Sequence, residues 1–101
     1  MTREKLVRDK IPELIHQSGE EPRIRIASRE EMDELLRAKI VEEAIELSES
    51  GEVEEIADII EAIDTLLKLR GIEKAAIEKI RKKKNASRGA FTKGYVLVME
   101  T

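Results

Sequence analysis

The chain has 101 residues, a mass of 11.5 kDa and a net charge of −3, which suits one domain and argues against a general polyanion binder. It has no cysteine, which excludes a disulfide framework and thiolate chemistry. Phe91 and Tyr95 are its only aromatic residues, too few to stack single-stranded nucleic acid.

No apolar run reaches the length of a membrane span, and the N-terminus lacks a signal-peptide core. A soluble cytoplasmic protein is the expectation, with neither membrane nor nucleic acid as partner. One Asn and one Gln against many Glu, Lys and Arg resemble a thermophile's usage.

In chain order, Lys5-Leu6-Val7-Arg8-Asp9-Lys10-Ile11-Pro12 leads into a short helix, with Pro12 in its first turn and a stop near Gly19. Arg8 and Lys10 precede that helix, where cations oppose the macrodipole, so a phosphate is a reasonable partner. His16, the single histidine, reads as a surface or packing residue. Arg23-Ile24-Arg25-Ile26 alternates with period two and predicts a short half-buried strand.

Ser28 followed by Glu31 is a capping box that opens a long helix ending near Ser50-Gly51. The next helix starts near Glu52 and runs to Arg70-Gly71, so the two are antiparallel neighbours. The apolar arc of the second covers well over half its circumference. That predicts burial on two sides, as in a four-helix core completed by a second subunit. A third long helix is expected from Ile72 to about Lys84, with Ala76, Ile77 and Ile80 inward and a basic last turn that suits a helix C-terminus. Residues 85–91 read as a loop, and residues 95–99 as a final strand paired with 23–26. The expected fold is mainly α, a helical hairpin with one small two-stranded β element.

Five carboxylates in the hairpin look misplaced. At about 100° per residue from Ile40, the residues Met32, Leu36, Ala44 and Leu47 fall within roughly 80° and form the buried stripe. Glu43 lands between Met32 and Leu36, Glu46 lies between Leu35 and Met32, and Glu42 sits toward the rim. On the next helix Ile56, Ile60, Ile63 and Leu67 share one line, with Glu55 in that apolar sector and Asp58 on its edge. Most acids on Glu-rich helices are simply solvated. A carboxylate inside an apolar stripe is different, because unpaired burial costs several kcal/mol or drives it neutral. Four such acids on adjacent helices need a cation between them. Hard oxygen donors without Cys or paired His suit Mg²⁺ or Mn²⁺. Such a site can hold a metal on phosphate oxygens and position a water, the chemistry of metal-assisted phosphoanhydride hydrolysis. No Walker loop is present.

Glu42-Glu43-x-x-Glu46 followed by Glu55-x-x-Asp58 resembles the E-E-x-x-E…E-x-x-D signature of the MazG-like, all-α nucleoside triphosphate pyrophosphohydrolases. Residues 39–46 also resemble the related phosphoribosyl-ATP pyrophosphohydrolases. The opening residues 5–13 and the late Arg88-Gly89-Ala90-Phe91 are similar to a compact house-cleaning branch of that superfamily. The gap of eight residues between Glu46 and Glu55 is shorter than in the longer MazG proteins, and Ala90 stands where a second Gly would be commoner.

The resemblance implies a homodimer or homotetramer that cleaves a nucleoside triphosphate between the α- and β-phosphates with Mg²⁺, giving a monophosphate and pyrophosphate. It implies Glu43, Glu46, Glu55 and Asp58 as metal ligands, and Glu42 as an accessory acid that orients water or a neighbouring cation. Arg8, Lys10, Lys39, Arg88 and Lys93 are the candidate phosphate contacts. Two alternatives stand beside this reading. One is phosphoribosyl-ATP hydrolysis in histidine biosynthesis. The other is a non-catalytic helical dimerisation module whose acids pair with Arg37 and Lys39.

Overall fold

The computed structural model describes residues 3–100, which fall into two compact units, one ending at Gly71 and the other beginning at Ile72. The first unit holds α1 (Ile11–Gln17), α2 (Arg29–Ser50) and α3 (Val53–Arg70); the second holds α4 (Lys74–Arg88). The mainly helical expectation is met.

Local chemistry sets the ends of α2 and α3. The Ser28 hydroxyl accepts from the Glu31 N–H (3.3 Å), and Glu31 Oε1 accepts from the Ser28 N–H (2.9 Å), completing the capping box. Gly51 stops α2 at φ 68°, a left-handed conformation that only glycine adopts without strain, and its N–H donates to the Leu47 carbonyl at 2.8 Å. Glu52 is already the N-cap of α3. So short a connection leaves antiparallel packing as the natural geometry, and α2 against α3 is the main tertiary contact of the first unit.

Asp33 ties the open end of this hairpin. Arg70 Nε and Nη2 donate to its two oxygens at 2.6 and 3.0 Å, and Arg37 Nε adds a third bond at 2.9 Å. The hydrogen bond from Arg70, with lesser help from Arg37, draws the Asp33 carboxyl down to about 2. At the start of α2, Arg25 bridges Glu31 (2.6 Å) and Glu4 (2.8 Å), joining the N-terminal segment to the hairpin.

The core is small. Among the described residues only Leu36 and Ala62 are fully buried apolar side chains. On α3 the inward line runs through Glu55, Asp58, Ala62 and Leu66. This corrects part of the sequence expectation: Ile56, Ile60 and Ile63 lie roughly 85–145° around the helix from that line and are 45%, 51% and 37% exposed, while Leu67 of the same expected line is half-buried. Ala44 is likewise exposed.

Among the described residues neither 23–26 nor 95–99 is assigned to a strand, and Arg25 pairs with Glu4 and Glu31. Two further expectations are corrected. Asn85, Ala86 and Ser87 are helical rather than looped, since nothing before Gly89 (φ 82°) breaks the helix. Ala76, Ile77 and Ile80 are exposed, and α4 buries no residue. No helix among the described residues is long and apolar enough to cross a membrane.

Candidate metal centre

The register that joins Asp33 to Arg70 brings Glu43 opposite Asp58, about ten residues nearer the turn on each helix. Glu43 lies about 20° from Leu36 around α2, directly on the buried stripe. It is only 5% exposed, the one buried charged residue among those described.

Two groups of carboxylates converge there and share Glu43. Glu43, Glu55 and Asp58 each offer an oxygen within 4.8 Å of the others, and so do Glu42, Glu43 and Glu46. The sharing follows from spacing. Glu42 and Glu46 are neighbours of Glu43 on α2, while Glu55 and Asp58 project together from one turn of α3. Glu55 and Asp58 are half-buried, whereas Glu46 is exposed, near the rim of the stripe.

The cations around the centre satisfy it unevenly. Lys39 Nζ stands 3.4 Å from both Glu42 Oε2 and Glu43 Oε1, with its own side chain 19% exposed. Arg8 Nη2 donates to Asp58 Oδ1 at 2.6 Å, and Lys5 Nζ lies 3.6 Å from Glu42 Oε1. Among the described residues no salt bridge reaches Glu46 or Glu55, and Glu43 Oε2 is buried without a hydrogen-bond partner. An unanswered buried oxygen is costly, so it marks a place where positive charge is missing. Glu55 registers the same deficit: partial burial, then the Glu43 and Glu46 carboxylates beside it, push it up to about 7. Converging hard oxygens, one of them an unpartnered buried atom, fit Mg²⁺ or Mn²⁺.

Cavities flank the centre. One of about 450 Å³ has Leu6, Val7, Met32, Leu36 and Ala62 on its apolar side and Arg8, Lys39, Glu43 and Asp58 on its polar side. A second, of about 420 Å³, is lined by Leu35, Ile45, Glu42 and Glu46. Lys5, Leu6 and Lys39 border both. The first lies within the size range of small-molecule sites.

Of the sequence candidates, the first unit brings together Arg8, Lys39, Glu42, Glu43, Glu46, Glu55 and Asp58. Lys10 is the exposed N-cap residue of α1. Arg88 and Lys93 belong to the second unit: Arg88 is the last residue of α4, and Lys93 Nζ stands 6.0 Å from the centroid of the Tyr95 ring. Arg37 pairs with Asp33 rather than with the clustered acids. Sequence reading missed Lys5, Glu61 and Thr65, which border the first cavity. No spacing rule could have found Lys5, whose partner Glu42 is remote in sequence.

No family model matches the chain, and no curated protein or solved structure matches it either.

Proposed function

We propose that this protein is a divalent-cation-dependent nucleoside triphosphate pyrophosphohydrolase, splitting the bond between the α- and β-phosphates of non-canonical nucleotides. The observation that carries the reading is the buried Glu43 Oε2, left without a donor among the carboxylates of Glu55 and Asp58. The resemblance of the 42–58 stretch to the MazG-like signature supports the same chemistry.

Glu43, Glu55 and Asp58 would hold the cation, with Glu46 beside Glu55 as a further ligand. When bound, Mg²⁺ supplies charge neutralisation on the polyphosphate and activation of water. Around it, Glu42 would accept a proton from the attacking water and orient it. Lys39, fixed between Glu42 and Glu43, would set the direction of both carboxylates and face phosphate oxygens. Arg8 at the cavity wall is suited to phosphate contact, because guanidinium offers paired donors. Lys10, Arg88 and Lys93 remain candidate phosphate contacts. The apolar wall formed by Leu6, Val7 and Met32 would shelter the nucleoside from water.

The oligomeric part of the reading rests on Ile56, Ile60 and Ile63. Among the described residues one chain buries two apolar side chains fully and leaves this stripe open, so a second copy covering it would complete a four-helix core. A purely structural dimerisation module would also use the stripe, but it gives no reason for an orphaned buried carboxylate.

The test is pyrophosphate release from canonical, deoxy and damaged nucleoside triphosphates and from phosphoribosyl-ATP, with Mg²⁺ and with EDTA. Turnover confined to Mg²⁺ supports the reading, and the best substrate separates house-cleaning from histidine biosynthesis. Mg²⁺-independent turnover, or none by folded protein across the panel, contradicts it.

A further inference from the structure

Two cations of the N-terminal segment each sit on one of the two acid groups. Lys5 reaches Glu42 in the first group at 3.6 Å, and Arg8 reaches Asp58 in the second at 2.6 Å. Residues 3–8 belong to no helix or strand. These pairs, the Glu4–Arg25 pair and the half-burial of Leu6 and Val7 are what hold the segment on the hairpin. The segment borders both cavities, one lined also by Glu43 and Asp58 and the other by Glu42 and Glu46. The strap's cations answer one carboxylate in each group, Glu42 and Asp58, and leave the shared one, Glu43, with Oε2 unpartnered.

We infer that Arg8 is the resident counter-ion of the metal centre and that a divalent cation displaces it from Asp58, loosening this one attachment of the 3–8 strap while Leu6 and Val7 stay on the hairpin. The inference rests on the metal-centre reading above. A doubly charged ion among Glu43, Glu55 and Asp58 would stand within a few ångströms of the guanidinium, and like charges at that range repel. Arg8 holds Asp58 through a single hydrogen bond with its side chain 56% exposed, so the contact is readily exchanged for water. On Asp58, Arg8 borders the cavity in which a polyphosphate would lie, so leaving that carboxylate would free its donors for phosphate oxygens. The coupling is reciprocal: whatever Arg8 subtracts from cation affinity, the cation subtracts from strap attachment.

The experiment is calorimetric titration of the metal-free full chain and of Arg8→Gln with Mg²⁺ alone. It is paired with NMR of the Arg8 guanidinium in the wild-type chain during the same titration. The expected result is Mg²⁺ binding about two- to fivefold tighter in Arg8→Gln, the scale of losing one exposed competing ion pair. In the wild type, the Arg8 N–H signals should shift and begin to average as Mg²⁺ saturates. Equal or weaker binding by the variant, or an Arg8 signal that Mg²⁺ leaves unmoved, overturns the strap while leaving the metal centre standing. Absence of Mg²⁺ binding in both chains overturns the metal centre and the strap together. The NMR arm decides the matter even if Arg8→Gln proves unstable.

Discussion

Glu43 on α2 and Asp58 on α3 bring carboxylate oxygens within 4.8 Å of each other across the hairpin, yet only Asp58 is met by an arginine. Glu43 has Lys39 on one oxygen and nothing on the other. The asymmetry places the charge deficit at the buried vertex, and most of what can be tested follows from it.

Stability of the metal-free chain should fall as pH rises through neutrality. Glu55 is held up at about 7 in the folded state against an ordinary value of 4.5. The folded chain therefore binds more protons than the unfolded one between those values, and stability declines as pH rises across that window. Thermal melts from pH 4.5 to 8 in EDTA check this. Mg²⁺ should raise the melting temperature most above pH 7, where ligand protons no longer compete. Asp33 and Glu31, both held near 2, act with the opposite sign, and their contribution is lost only as pH falls below about 4.

Leu36→Ala should cost about 2–5 kcal/mol, the usual range for emptying a leucine site in a packed core. With Leu36 only 3% exposed and Ala62 its one fully buried apolar companion, the hairpin has little else to close the gap. Urea unfolding at fixed protein concentration measures the loss, and a cost under about 1 kcal/mol would mean that the core lies elsewhere.

Ile60→Glu should leave the helicity of the single chain intact and lower the oligomeric mass in sedimentation. Ile60 is half exposed in the single chain, so a charge there can still reach water and costs the chain itself little. On the proposed shared core it places a charge in an apolar seam, where burial is strongly unfavourable. An unchanged mass would mean that the α3 stripe is not the subunit contact.

The hairpin was legible in the sequence because its signals are local. Ser28 with Glu31, Gly51 and Gly71 mark helix ends by backbone chemistry alone, and the angular position of Glu43 marks its burial. Which face of α3 turns inward was not legible. Its apolar residues cover more than half the circumference, and the face that turns inward carries Glu55 and Asp58 together with the buried Ala62. Glu46 was expected in the stripe and is exposed, because a position near the rim is decided by packing rather than by period. The Arg8–Asp58 pair joins remote parts of the chain, and no local pattern encodes it.

The most direct measurement is Mg²⁺-dependent pyrophosphate release by Glu43→Gln beside the wild type, on the best nucleotide and with folding checked by circular dichroism. Glutamine keeps the shape and removes the charge at the shared vertex of both acid groups. The account predicts turnover reduced by roughly a hundredfold or more, with the metal-free fold at least as stable as the parent, since a buried charge is gone. Turnover within a few-fold of wild type would contradict the assignment of Glu43 as the centre of the site.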